Sequence, residues 1–217
     1  MNASQLLQHF DRISEAPDAI PRLRRFILDL AVRGKLVEQN PNDEPASELL
    51  KIMPQEKVRL VKEGITKKQK DMPQVNQHEE PFQIPAKWSW MRLGQIGVWG
   101  SGSTPLRGTY ESFGGGITWL KSGELNDSQH LAGSEETLTE LALNKGSFRR
   151  NQPGDVLLAM YGATIGKAAI LAEPAVTNQA VCGCTPFSGV FNRYLFNFLV
   201  SQREKFHSMN EEALPPP

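Results

Sequence analysis

The sequence of 217 residues has two cysteines, no long apolar run and a formal net charge of zero. Cys182 and Cys184 are separated by one residue and cannot form a disulfide framework, so we expect buried thiols. The longest apolar runs are too short to span a bilayer, and no basic start followed by an apolar core indicates a signal peptide. These absences predict a soluble, cytoplasmic protein without a membrane partner.

The sequence also lacks a recognisable catalytic or metal-binding pattern. A phosphate loop needs Gly five positions before its Gly-Lys pair and Ser or Thr after it, but Tyr161 and Ala168 occupy those positions around Gly166 and Lys167. No histidine is close in sequence to the cysteines, and no Gly-x-Ser-x-Gly elbow occurs. Asp155 follows a Pro-Gly turn and is interpreted as a turn residue. We therefore expect no enzyme activity, metal or cofactor in this chain.

Positive charge is concentrated in residues 51–70, which hold seven Lys and Arg residues and two Glu residues. A solvated helical face that continues into a basic loop is favoured over a strip of phosphate contacts. The zero net charge of the whole chain also does not favour a nucleic-acid binder that works alone.

Helical spacing of apolar residues predicts a helical arm over residues 1–64. Its clearest helix begins near Asp18, ends at Arg33-Gly34, and carries the apolar stripe Ile20, Leu23, Ile27, Leu30 and Ala31. In the next helix, Pro54 is expected to kink or interrupt the helix, and Gly64 to end it. Residues 65–87 are polar and rich in proline, which predicts a linker.

From Trp88 onward the composition changes to short runs of Val, Ile, Thr and aromatic residues separated by Gly-rich turns. This pattern predicts a mixed, β-dominated domain over residues 88–206, with two buried strands and a small-residue turn in 153–171. One helix is expected near the end of the domain, on Tyr194, Leu195, Phe198, Leu199 and Phe206. The predicted fold class is α+β, with a short tail at 207–217.

Six blocks of sequence are informative as an ordered set, although none is specific alone. They are residues 23–36 with 42–47, residues 85–90, 102–105, 114–125, 153–171 and 177–180. In this order and spacing they resemble the helical segment and the first target-recognition domain of type I restriction-modification specificity subunits. A complete subunit has a second recognition domain and long spacer helices, whereas this chain stops at Asn210–Pro217. The resemblance therefore implies a truncated tail.

The resemblance implies sequence-specific recognition of double-stranded DNA, in which this domain reads one half of a bipartite target through the major groove. The implied partners are adenine methyltransferase (M) subunits, which bind S-adenosylmethionine and methylate a flipped adenine, and restriction (R) subunits, which use ATP and Mg. Self-association of half-length chains is a further option. The alternatives are a non-catalytic scaffold or interaction module that has lost sequence recognition, and an independent small-molecule enzyme.

The residues expected to contact DNA lie in turns and at strand ends. They are Ser103, Thr104, Arg107, Tyr110, Lys121, Tyr161, Thr164, Lys167 and Gln179. The loops that hold Ser103, Thr104, Arg107, Thr164 and Lys167 are expected to converge on one face of the domain. Lys167 would add charge beside a phosphate, and Arg107 could bind guanine with two hydrogen bonds. Ordinary surface turns and local packing are the alternative for these loops, a structural role is favoured for Asn178, and Gln179 is left open. Leu23, Ile27 and Leu30 are expected to face a helix of this chain or of a partner subunit.

Overall fold

The chain forms two compact units, Met1–Arg92 and Leu93–Pro217. A computed structural model describes residues 3–10, 15, 17–64, 66–68, 72–105 and 109–213. Helices and β-sheets are both present, which confirms the α+β fold class. None of the helices within these described ranges is long and apolar enough to cross a membrane.

The first unit contains helices α1 (Ala3–Gln8), α2 (Ala19–Val32) and α3 (Ala46–Lys62). The predicted start and end of α2 are confirmed, and its C-terminus is closed by a hydrogen bond from the Lys35 N–H to the Leu30 carbonyl, 2.8 Å long. Helix α3 is continuous across Pro54, so the interruption, one of the two expected outcomes, is wrong. Proline removes only one backbone donor, and the turns on either side keep their own hydrogen bonds.

The described part of the expected linker makes specific contacts within the first unit. The Lys87 ammonium donates to the carbonyl of Asp43 at 2.5 Å, and the Ala46 N–H donates to the Lys87 carbonyl at 2.9 Å. The Trp88 indole N–H donates to Gln39 Oε1 at 3.0 Å. Lys87 and Trp88 are therefore hydrogen-bonded to the start of α3 and to the segment that precedes it.

The second unit is built on two sheets. The four-stranded sheet has the order β1-β7-β4-β5, with β1 (Gly97–Ser101), β4 (Val156–Ala159), β5 (Ala168–Ile170) and β7 (Val181–Pro186). All its neighbouring strands are antiparallel. The three-stranded sheet has the order β3-β2-β6, with β2 (Phe113–Leu120), β3 (Glu136–Leu138) and β6 (Val176–Thr177). Strand β2 is antiparallel to β3 and parallel to β6.

Side chains of β4 alternate between two apolar cores. Val156 packs with Leu199 and its neighbours on one face of the four-stranded sheet. Leu157 and Ala159 pack on the other face, with Leu120 and Val181. Because side chains alternate with a period of two, a strand buried on both faces must be apolar throughout. The prediction of two buried strands in residues 153–171 is confirmed.

Three helices complete the second unit: α4 (Glu140–Lys145), α5 (Asn192–Ser201) and α6 (Arg203–Ala213). Helix α5 covers β4 and β5. The single helix expected near the end of the domain is instead two, which meet at Gln202. The apolar spacing continues across this junction, so periodicity alone did not predict it.

The two cysteines lie on β7, and both are free. Burial raises the pKa of the Cys184 thiol to about 12, and burial also raises the pKa of the half-buried Cys182. The thiolate is the reactive form, so both side chains are chemically protected in the folded chain.

We predict that iodoacetamide at pH 8 leaves Cys184 unmodified in the folded protein, because only on the order of one thiol in ten thousand is ionised there. Peptide mass spectrometry after timed labelling measures this directly. The same labelling in concentrated urea should modify both cysteines. Equal rates for Cys184 in buffer and in urea would contradict the buried position.

Candidate functional site

Three loops meet at one end of the four-stranded sheet. Ser101, at the end of β1, pairs with Cys182 near the start of β7. Ala159, at the end of β4, pairs with Val181, and the start of β5 is beside the end of β4. The β1 loop (102–105), the β4–β5 loop (160–167) and the β6–β7 loop (178–180) therefore share one end, which we call the loop end of the sheet.

Backbone hydrogen bonds fasten the β1 loop to the segment around β6. The Ser103 N–H donates to the Thr177 carbonyl at 2.8 Å, and the Gly102 N–H donates to the Val181 carbonyl at 3.1 Å. The buried Trp119 indole N–H donates to the Ser103 carbonyl at 3.2 Å. A Cβ atom on Gly102 would lie 2.0 Å from the Thr177 carbonyl oxygen, so only glycine allows this approach.

The β6–β7 loop carries the two amide residues singled out by the sequence. Asn178 Oδ1 accepts from the Ala180 N–H at 3.2 Å, which confirms the structural role favoured for Asn178. Gln179 is exposed, and its Oε1 accepts a hydrogen bond from the Thr104 hydroxyl of the β1 loop. The side-chain amide of Gln179 is thus held between two loops at the surface.

The β4–β5 loop contains a 3₁₀ turn at Gly162–Thr164. Ile165 is buried beneath it, whereas Tyr161 is 45% exposed. The Lys167 N–H donates to the Thr164 carbonyl at 3.0 Å, and the Met160 N–H donates to the Ala180 carbonyl of the β6–β7 loop at 2.9 Å. Thr164 and Lys167 are half-buried. Within the described part of the chain, the Lys167 ammonium makes no ion pair.

Lys121 follows β2 at the same end of the domain. The Asn178 N–H donates to the Leu120 carbonyl at 2.9 Å, which brings the residue after Leu120 beside the β6–β7 loop. The Lys121 ammonium lies 2.8 Å from a carboxylate oxygen of Glu136 and 3.3 Å from one of Glu135. The hydrogen bond to Glu136 is the main reason that the pKa of Lys121 is raised. Its positive charge is largely balanced by these two carboxylates.

Two of the predicted contact residues are not brought to the loop end by the described structure. Tyr110 lies in the 3₁₀ turn Tyr110–Ser112, which precedes β2. It therefore precedes the strand, whereas Lys121 follows it, and none of the described hydrogen bonds joins the Tyr110 turn to the loop end. Its side chain is 92% exposed. Arg107 lies outside the described residues.

A polar cluster that the sequence did not reveal lies on the four-stranded sheet away from the loops, and two of its members, Asn151 and Asp155, are buried. Arg149 donates to Asn151 Oδ1 at 2.8 Å and to the Thr185 hydroxyl at 2.7 Å. Its guanidinium lies 3.5 Å from a carboxylate oxygen of Asp155. Burial raises the pKa of Asp155, although its bond from the Gln152 N–H opposes the shift. Asp155 is a turn residue as expected, but it is also an internal anchor.

Metal-binding residues do not converge in either region. Among the described residues, no group of three or more His, Cys, Asp and Glu side chains could hold a metal ion. The chemistry available at the loop end is hydrogen bonding by hydroxyl, amide and backbone groups, with the charge of Lys167 beside them. These groups suit recognition of a polar surface.

Comparison with known families matches residues 85–213 to the type I restriction modification DNA specificity domain. The chain is 39% identical over 166 residues to the specificity subunit of the Escherichia coli type I restriction enzyme EcoEI, covering 74% of this chain and 27% of the relative. It is 52% identical over 95 residues to the E. coli EcoAI specificity subunit, covering 44% of this chain and 16% of the relative. The chain therefore spans only about a quarter or less of these relatives.

Among solved structures, the HsdS subunit from Thermoanaerobacter tengcongensis is similar with a TM-score of 0.49 and 16% sequence identity. The alignment covers 94% of this chain and 41% of that chain.

The close approach at Gly102 generates a stability prediction. Gly102→Ala should lower the free energy of unfolding by about 1–3 kcal/mol, because the new Cβ forces two backbone segments apart. Gly123→Ala is the matched control, since a Cβ there meets nothing within 4 Å, and it should change stability by about 0.5 kcal/mol or less. Urea unfolding of both variants measures the difference. Equal stability of the two variants would show that the β1 loop does not pack tightly against the backbone of Thr177.

Proposed function

The chain belongs to the type I restriction modification DNA specificity domain family, and we propose on this basis that it recognises a specific sequence in double-stranded DNA. The domain would read one half of a bipartite target and direct partner M and R subunits in the cytoplasm. The chain itself would carry no catalytic step; S-adenosylmethionine, ATP and Mg would belong to the partner subunits. The recognition domain is proposed to comprise residues 88–206.

The observation that supports this proposal most strongly is the convergence of three loops at the loop end of the sheet. The loops are far apart in sequence, yet hydrogen bonds join the β1 loop and the β4–β5 loop to the segment of residues 177–181. Contacts that are fixed before binding cost less conformational entropy when a ligand binds. A rigid group of polar loops is what a base-reading surface requires.

Different side chains at the loop end suit different parts of DNA. Gln179 carries an exposed amide, the group that can pair with adenine through two hydrogen bonds. Lys167 supplies charge for a phosphate, and Thr164 a hydroxyl. Lys121 would contribute less, because its charge is balanced by Glu135 and Glu136. The same DNA segment is proposed to be contacted by Ser103, Thr104 and Tyr161. Tyr110 is proposed to contact a separate DNA segment, and Arg107 to contact a guanine.

The proposed partner interface on α2 divides into a buried and an exposed part. Leu30 is 5% exposed and belongs to the core of its own unit, whereas Ile20 is 51% and Ile27 38% exposed. Leu23 is half-buried. Residues seven apart lie on one face of a helix, so Ile20 and Ile27 form one apolar surface. We propose that this surface packs against a helix of an M subunit, and self-association of two chains would use it as well.

The DNA proposal is tested with the chain assembled with its methyltransferase subunit, on a duplex that the wild-type assembly selects from a random-sequence library and on a shuffled duplex. Lys167→Met should weaken binding to both duplexes by a similar factor and reduce the slope of log affinity against log salt by about one. Gln179→Ala should cost about 1–3 kcal/mol on the selected duplex and little on the shuffled one.

Lys145→Met is the matched control, because Lys145 is exposed at the end of α4 and not at the loop end. It should bind both duplexes as the wild type does. If the wild-type assembly selects no sequence at all, the scaffold alternative is supported. If Lys145→Met weakens binding as much as Lys167→Met, the effect of Lys167 does not depend on its place at the loop end.

The partner interface is tested by comparing Ile27→Asp with Leu30→Asp. Ile27→Asp should abolish or strongly weaken association with the methyltransferase subunit, while the free energy of unfolding falls by only about 1–2 kcal/mol. Leu30→Asp places a charge in the core and should lower the free energy of unfolding by about 4 kcal/mol or more. Gel filtration and urea unfolding measure both effects. Normal assembly of Ile27→Asp would rule out this surface.

A further inference from the structure

Apolar packing alone does not hold the β4–β5 loop against α6. An open apolar groove of about 300 Å³ lies beside the loop, lined by Leu158, Ala159, Met160, Ile165, Phe206 and Met209. The side chains of Phe206 and Met209 therefore do not fill the space beside the loop. Polar contacts with the start of α6 also hold the β4–β5 loop.

The backbone of the loop touches α6 at Gly166. A Cβ on this residue would lie 2.9 Å from Arg203 Cγ, and its φ of +77° also favours glycine. Arg203 is the first residue of α6, and its Nε–H donates to the Gly166 carbonyl at 3.2 Å. The junction between α5 and α6 thus places the Arg203 guanidinium within hydrogen-bonding distance of Gly166, the residue before Lys167.

Asp127 completes the arrangement from the other side of Lys167. Its Oδ1 accepts from the Arg203 guanidinium and from the Ala168 N–H at 3.3 Å. Asp127 has a φ of 61°, a conformation that Asp and Asn adopt more readily than other non-glycine residues. Arg203 and Asp127 therefore hold the peptide groups on both sides of Lys167.

We propose that Arg203 and Asp127 are positioning residues for DNA recognition, which fix the backbone around Lys167 so that its ammonium is presented at the loop end. This inference rests on the proposed function. The guanidinium is already paired with the Asp127 carboxylate, so Arg203 acts through geometry and not as a free positive charge. Arginine suits this task because its planar fork reaches two acceptors at fixed angles, which a lysine ammonium does not.

The direction in which Asp127→Ala changes the affinity for DNA distinguishes a positioning role from a direct electrostatic effect. Asp127→Ala removes a negative charge near the proposed DNA surface, and electrostatics alone would then strengthen binding. The positioning role requires the opposite result, because the bonds to Arg203 and Ala168 are lost. Asp127→Asn keeps the acceptor oxygen and the tolerance of positive φ, so it should retain the native arrangement.

The experiment measures binding of the assembly with its methyltransferase subunit to the selected and shuffled duplexes described above. We expect Arg203→Lys and Asp127→Ala each to lose at least fivefold in affinity for the selected duplex, and Asp127→Asn to stay within twofold of the wild type or bind more tightly. Arg150→Lys is the control, since Arg150 forms an exposed ion pair with Glu140 elsewhere, 2.7 Å long. It should bind as the wild type does.

Arg203→Lys is a conservative change at a half-exposed position and keeps the test valid if Asp127→Ala does not fold. Unchanged affinity of Arg203→Lys, or tighter binding by folded Asp127→Ala, would overturn the positioning role while leaving the DNA proposal intact. A wild-type assembly that selects no sequence, or that binds the selected and shuffled duplexes equally, would overturn the proposed function itself. Hydrogen exchange of the Ala168 amide, which should be faster in Asp127→Ala, checks the contact without DNA.

Discussion

Pairing of β7 along both of its edges determines where the loops of the second unit lie. Because β1 and β4 are both antiparallel to β7, their C-terminal ends meet at its N-terminal end. Segments that are separated by more than fifty residues along the chain are thereby brought to one place. The short strand β6 then joins β7 through the β6–β7 loop, and its pairing with β2 adds Lys121 to the same region.

Two regions of this sheet are stabilised by different chemistry. Away from the loop end, the buried Asn151 and Asp155 form a polar cluster with the half-buried Arg149 and the exposed Thr185, in which each group has a partner within the protein. Buried polar groups that are satisfied in this way favour a single arrangement of the chain. At the loop end, the exposed Gln179 and the half-buried Lys167 keep polar groups close to solvent. The internal cluster stabilises the sheet, which leaves the loop end for contact with another molecule.

The sequence predicted those parts of the fold that depend on local pattern. The apolar run around Val156 predicted buried strands, and the cap signals around α2 predicted its limits, because both depend on neighbouring residues. Contacts between distant segments could not be predicted in this way. Nothing near Arg203 indicates that its guanidinium reaches Gly166 and Asp127, and nothing near Lys121 indicates that two glutamates balance its charge.

Local pattern also misled in places where tertiary contacts decide the outcome. Pro54 suggested a kink or an interruption of α3, and the interruption does not occur because a single missing donor is tolerated. The apolar spacing across Gln202 suggested one helix where two are present. In the candidate site, the residue types were predicted from turns and from family resemblance, and convergence of their loops on one face was expected from a sheet-based fold. Which end of which sheet they share follows from the strand order.

The seating of the β1 loop at Gly102 has a consequence for how such a domain can diversify. The base of the loop is fixed by backbone atoms, which are common to all amino acids, and by one position that excludes every side chain. Thr104 and Gln179, farther out, are exposed, and exposed positions of this kind contribute little to the free energy of folding. Substitutions at the tips can therefore change the pattern of donors and acceptors without disturbing the sheet that supports them, so that recognition and folding can evolve separately.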